Sequence, residues 1–170
     1  QANRDYYQAL FREQYAESDL IVLPETFTSG FSNVAIAQAE TMQGETVAWL
    51  REQAQHLNSA ITGSVQIREG EQVFNRMLWA MPDGSIQYYD KRHLFRMANE
   101  HERYSAGKEK VFIEYKGWRI CPQICYDLRF PVYSRNRFNH TFANAYDYDL
   151  LIYVANWPSP RHFAWQTLLK

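Results

Sequence analysis

Apolar residues along this chain alternate between two periods. Across residues 4–17, Tyr7, Leu10, Phe11 and Tyr15 stand at i, i+3, i+4 and i+8, the stripe of an amphipathic helix that Ser18-Asp19 ends. Residues 20–23 form an unbroken aliphatic run closed by Pro24, which predicts a strand buried on both faces. Val47, Leu50, Ala54 and Leu57 mark one face of a second helix over residues 45–57, entered through Gly44. A strand over residues 60–68 follows. Residues 73–80 and 85–90 flank Pro82-Asp83-Gly84, whose backbone preferences favour a tight turn, so an antiparallel pair is predicted with Lys91 at its end.

Residues 93–110 mix charge, aromatics and Gly107 without a period and predict a long loop with one helical turn, the kind of segment that often carries function. Residues 111–115 and 118–125 predict another strand pair about Lys116-Gly117. Pro122 cannot donate to a ladder, so a bulge or local edge is expected there. A helix running from Phe130-Pro131 toward Phe138 comes next, then an insertion-like stretch over residues 138–148 flanked by Asn136 and containing Asn139 and Asn144. An aliphatic strand over residues 149–155 ends at the loop Asn156-Trp157-Pro158. No repeat or linker interrupts this order, which predicts one layered α/β domain over residues 1–170.

Three polar side chains stand at the ends of apolar strands, where α/β sheets build their sites: Glu25, Lys91 and Cys125. A carboxylate can take a thiol proton, and a lysine can face a developing oxyanion, so the three types suffice for acyl transfer through a thioester. The other cysteine, Cys121, is expected to be an inert core residue. Along an extended strand the two sulfur-bearing residues lie roughly 13 Å apart, too far for a disulfide. Their C-x-x-x-C spacing fits neither a thioredoxin-type motif nor a common zinc knuckle. His93 and His101 are alternative bases for a Cys-His pair, but both fall in a polar loop.

The local wording is more specific than the residue types. Leu23-Pro24-Glu25-Thr26-Phe27, Tyr89-Asp90-Lys91-Arg92-His93-Leu94-Phe95 and Ile124-Cys125-Tyr126-Asp127-Leu128-Arg129-Phe130-Pro131 resemble, in order, the three signature segments of the nitrilase superfamily of carbon-nitrogen hydrolases. Arg96-Met97-Ala98-Asn99-Glu100-His101 and Tyr153-Val154-Ala155-Asn156-Trp157-Pro158 further resemble its bacterial omega-amidase branch, which hydrolyses 2-oxoglutaramate and related dicarboxylic monoamides. The resemblance implies a four-layer αββα sandwich, incomplete at both ends here, since members usually have a first strand before the opening helix and further strands and helix after it. It implies Cys125 as nucleophile, Glu25 as general base and Lys91 as oxyanion stabiliser, with the backbone N–H of Tyr126 completing the oxyanion hole. A second glutamate is matched by Glu100, with Glu102 as rival. No metal or organic cofactor is implied. Phe27, Phe31, Arg129, Trp157 and Arg161 are the candidate pocket residues; Tyr126 and Phe163 could add to its wall, and either arginine could grip a substrate carboxylate.

Composition narrows the remaining choices. A net charge of −1, from 18 basic and 19 acidic residues with no like-charged cluster, disfavours nucleic acid and membrane surfaces as partners. The longest apolar runs fall far short of the roughly 20 residues of a membrane span. With 46% hydrophobic residues the chain can bury a core, which favours a soluble domain. No secretory signal is read on the residues given, so a cytoplasmic location is expected. The lack of an initial Met, and a last residue, Lys170, within a helical pattern, suggest a partial chain. The expected partners are a small-molecule amide and a second copy of the chain in a homodimer. The rival readings are a carbamoyl-amino-acid hydrolase, a nitrile hydrolase, a catalytically silent scaffold of this fold, and a thiol redox protein.

Overall fold

The computed structural model describes residues 1–14, 17–32, 34–140 and 145–170; Tyr15 of the predicted first stripe and Asn144 of the insertion-like stretch lie outside them. Helix α1 (Ala2–Gln14) leads to β1 (Leu20–Val22), α2 (Glu45–Leu57), β2 (Ala60–Glu69), β3 (Gln72–Ala80) and β4 (Ile86–Asp90). These strands form one sheet in the order β1-β2-β3-β4, with β1 parallel to β2 and the other pairs antiparallel. A second sheet holds β5 (Ile113–Tyr115), β6 (Trp118–Ile124) and β9 (Leu150–Val154), with β6 parallel to β9. Between them lie α3 (Pro131–Ser134) and a short hairpin of β7 (Phe138–Asn139) and β8 (Ala145–Tyr146); α4 (His162–Leu168) follows β9.

The period-2 pattern of β3 explains the layering. Leu78 and Ala80 point to the helical side, into a core with Phe11, Val47, Leu50 and Ala54 from the two long helices. Met77 and Trp79 point the other way, against Ile113, Ile120, Ile124 and Val154 of the second sheet. Successive side chains on a strand face opposite sides, so one apolar strand serves both interfaces. The result is a mixed α/β arrangement of helices on sheet on sheet, consistent with the predicted class.

Several local expectations change. Val22 of β1 is exposed while Ile21 and Leu23 are buried, so β1 is covered on one face rather than on both; among the described residues its strand partner is β2. The helix expected to run toward Phe138 is a single turn, α3, and Asn136 instead exchanges hydrogen bonds with the Tyr148 backbone. The loop over residues 93–110 holds two short 3-10 turns, Arg96–Ala98 and Glu100–Glu102. Pro122 lies beyond the last residue that β5 pairs, Ile120, so β6 has β9 as its strand neighbour there and the local edge needs no bulge. Among the described residues no helix is long and apolar enough to cross a membrane.

Candidate active site

The segment carrying Glu25 leaves β1 and is stitched to β2. The Leu23 N–H donates to the Thr62 carbonyl at 2.7 Å, the Thr26 N–H to Ser64 Oγ at 2.8 Å, and the Phe27 N–H to the Ser64 carbonyl at 3.1 Å. Gly63 permits this approach, since a Cβ there would fall 2.7 Å from Leu23 Cβ. Lys91 directly follows β4. Its N–H donates to the Asn75 carbonyl and its own carbonyl accepts from Gly107, both at 2.9 Å. The preceding residue, Asp90, accepts from Nε and Nη2 of the buried Arg76 guanidinium at 2.7 and 2.9 Å, a bidentate pairing that anchors the strand end delivering Lys91.

Cys125 is not the last residue of β6, as its sequence context suggested, but the first of a 3-10 turn, Cys125–Arg129, with φ of 47°. A positive φ in a residue other than glycine costs energy and persists where surrounding contacts over-determine it. The turn gives the Tyr126 N–H no intrahelical acceptor, because the first donors of any helix lack one.

These three segments converge on a buried ionic cluster. Lys91 Nζ donates to Glu25 Oε1 at 2.9 Å and to both oxygens of Glu100 at 3.1 Å, and all three side chains are at most 1% exposed. Glu25 is held by two further donors, Asn75 Nδ2 on Oε1 at 2.9 Å and the Asn156 N–H on Oε2 at 2.8 Å. Glu100 accepts from the Phe95 N–H at 2.5 Å. Glu102 is exposed, so of the two rivals it is Glu100 that meets Lys91.

The electrostatics follow from this count of charges. Burial by itself favours neutral Lys91, but the Glu25 and Glu100 carboxylates outweigh it and hold the ammonium well above the ordinary lysine range. For the neighbouring Cys125, burial and then the adjacent Glu25 carboxylate push the thiol up, and Lys91 offsets only part of this. This direction favours the thiol over the thiolate at neutral pH. Cys121 is fully buried in β6, and desolvation raises its thiol to about 11. Both cysteines are free.

A cavity of about 500 Å³ opens onto Glu25, Lys91 and Cys125. Phe31, Phe95, Met97, Ala98, Trp157 and Ala164 make much of its wall apolar, and Tyr126, Arg129, Asn156 and Arg161 also line it. The Arg161 guanidinium sits 4.8 Å from the Phe95 ring centroid. Among the described residues neither arginine is ion-paired to a carboxylate; in particular Asp127 does not pair with Arg129, its oxygens being taken by Tyr89, His93 and Ile124. Phe27 does not line the cavity. Its ring turns to the helical side, edge-on to Tyr7, because the backbone reverses at Thr26. Phe163 is 79% exposed and likewise absent from the wall. His101 is exposed and His93 is bound to Asp127.

Sequence reasoning passed over Asn75. The signal available was a polar Asn-Arg interruption in an otherwise apolar central strand, and both residues prove to be buried partners of carboxylates, Asn75 of Glu25 and Arg76 of Asp90 beside Lys91.

A carboxylate, a lysine and a thiol from three separate segments meet at one cavity, the residue types that acyl transfer through a thioester would need. The chain belongs to the carbon-nitrogen hydrolase family, whose pattern matches residues 3–169. It is 49% identical over 169 residues to the omega-amidase YafV of Yersinia enterocolitica, covering 99% of this chain and 62% of that protein. It is 36% identical over 155 residues to the 2-oxoglutaramate amidase of Bacillus subtilis (strain 168), covering 89% and 58%. Among solved structures, XC1258 from Xanthomonas campestris, a CN-hydrolase superfamily protein with an arsenic adduct in its active site, superposes with a TM-score of 0.95 at 63% identity, covering 99% of this chain and 63% of that one. The chain thus spans about three-fifths of the length of these relatives.

Proposed function

We propose that this chain is one carbon-nitrogen hydrolase domain that cleaves the terminal amide of a short dicarboxylic monoamide such as 2-oxoglutaramate. The observation that carries the reading is the buried Glu25–Lys91–Glu100 cluster beside the Cys125 thiol at the floor of the cavity. The names of the Yersinia and Bacillus relatives support the substrate class. Arg129 and Arg161, which among the described residues pair with no carboxylate, support an anionic far end, since a guanidinium fork matches a carboxylate.

In this reading Cys125 Sγ attacks the amide carbon while Glu25 takes the thiol proton. General-base attack suits a thiol whose pKa is raised better than a preformed thiolate would. Lys91 Nζ and the Tyr126 N–H stabilise the oxyanion of the tetrahedral intermediate. Glu25 then protonates the leaving nitrogen, the C–N bond breaks, and ammonia departs from a thioester. Water gives a proton to Glu25 and attacks the thioester carbon; the C–S bond breaks, the acid is released and the proton returns to Cys125. Glu100 keeps Lys91 charged and aimed. No step requires a metal or an organic cofactor. A carbamoyl-amino-acid hydrolase or a nitrile hydrolase would use the same groups, and release of ammonia from an amide without carbon dioxide separates the amidase from the former. We further propose that the protein is a cytoplasmic homodimer.

The test is ammonia release from 2-oxoglutaramate and succinamate by the full chain, beside a Cys125→Ala variant. Release by the parent and none by the variant is expected. A parent inactive on every ω-amide would overturn the substrate class, and an active Cys125→Ala variant would overturn the mechanism.

A further inference from the structure

Lys91 and Cys125 arrive from different sheets, the former after β4 and the latter after β6, so their separation depends on what joins those two strand ends. The joint is Asp127. Its carboxylate is fully buried and occupied on both oxygens. Oδ2 accepts from the Tyr89 hydroxyl at 2.8 Å and from the Ile124 N–H at 3.0 Å. Oδ1 accepts from the His93 N–H at 2.9 Å and lies 2.7 Å from His93 Nδ1, which makes Nδ1 the protonated ring nitrogen.

The donors are distributed tellingly along the chain. Tyr89 and His93 stand two residues before and two residues after Lys91, and Ile124 immediately precedes Cys125. The far side of the unit is closed as well: the His93 ring stacks on Phe130 at 3.8 Å and 8°, and meets Tyr133 edge-on at 5.0 Å. The Tyr89 hydroxyl also accepts the Arg92 N–H at 3.2 Å. Asp127, Tyr89 and His93 do not line the cavity, and Asp127 and Tyr89 are fully buried.

We infer that Asp127, with His93 and Tyr89, is a positioning unit that fixes the Lys91 ammonium relative to the Cys125 sulfur and holds the positive-φ turn at Cys125. The inference rests on the roles proposed above for Lys91 and Cys125. One carboxylate spans both catalytic segments with short, charge-assisted bonds, so removing it frees each segment to shift against the other. A misplacement near 1 Å between reacting groups costs about a hundredfold in rate.

The experiment measures ammonia release and iodoacetamide alkylation of Cys125 in the parent and in Tyr89→Phe, His93→Ala, His93→Asn and Asp127→Asn variants. Tyr89→Phe removes one hydroxyl and leaves the ring, so it remains informative if Asp127→Asn does not fold. Expected is a loss of kcat of about 10- to 100-fold in Tyr89→Phe, His93→Ala and Asp127→Asn, with KM within about threefold of the parent. His93→Asn, whose amide can donate in place of Nδ1–H, recovers most of the kcat lost in His93→Ala. Folded variants whose kcat stays within threefold of the parent, or whose loss falls on KM alone, would overturn the inference. Should the parent release no ammonia from any amide, the amidase reading falls and alkylation decides: slowed modification of Cys125 in the three variants sustains the positioning role, and unchanged modification refutes it.

Discussion

Replacing Lys91 by Met would test whether the ionic cluster is held together by its single cation. The substitution keeps the length of the side chain but leaves Glu25 and Glu100, each at most 1% exposed, as two buried negative charges that shared one ammonium at 2.9 and 3.1 Å. Removing one partner of a buried ion pair costs about 3–5 kcal/mol, because the other charge remains desolvated. Glu25 keeps Asn75 and the Asn156 N–H, and Glu100 keeps the Phe95 N–H, which favours the lower end of that range. At about 2–4 °C per kcal/mol for a chain of this size, the melting temperature followed by circular dichroism at pH 8 should fall by about 6–20 °C. The pH dependence has a definite sign. In the variant a proton taken up by the folded cluster relieves the repulsion, so folding binds protons and stability rises as pH falls. The deficit relative to the parent should therefore shrink between pH 8 and pH 5. In the parent the raised Lys91 contributes stability that is complete below the ordinary lysine range and is lost as pH climbs above about 10. A melting temperature within 2 °C of the parent at pH 8, or an equal deficit at both pH values, would refute this account of the cluster.

Asn75→Ala removes one of the donors that orient Glu25, a bond to a charged group worth about 1.5–3 kcal/mol; kcat for 2-oxoglutaramate should fall at least about tenfold with little change in KM, read from initial-rate kinetics. Arg161→Met should raise KM for an anionic amide by about 10- to 100-fold, the equivalent of one charge-assisted bond, while leaving a neutral amide such as butyramide nearly unaffected. Alkylation mapped by peptide mass should modify Cys125 well ahead of the fully buried Cys121. Because the Cys125 thiol is raised, its thiolate fraction at pH 7 is below that of an ordinary cysteine, so the rate should climb with pH beyond 9; a plateau below pH 8 would contradict the protonated resting state.

Periodicity in the chain was sufficient for the elements that bury an apolar stripe. Helix α2 was bounded correctly because Val47, Leu50, Ala54 and Leu57 sit on one face, and β2, β3 and β4 fell within a residue of their predicted limits because turn residues punctuate them. The family, too, was legible in three short segments, since their residue order is specific in a way that a lone Glu, Lys or Cys is not. Where local pattern and tertiary demand diverged, the reading failed. Phe27 reads as a pocket aromatic beside Glu25, yet the backbone reverses at Thr26 and sends its ring to the helices.

What sequence alone determined is therefore the class of fold and the family, and it singled out Glu25, Lys91 and Cys125, which the fold brings to one cavity. Only the tertiary structure decided which groups surround them. Glu100 over Glu102, Asn75 on Glu25, and Asp127 bridging the segments that carry Lys91 and Cys125 depend on contacts spanning 9 to 50 residues along the chain. The upward push on the Cys125 thiol depends on the sum of burial, two carboxylates and one ammonium. The physical reason is that periodicity records which face of an element avoids water, whereas hydrogen bonds and charges act over a few ångströms between elements whose approach is set by packing the whole core.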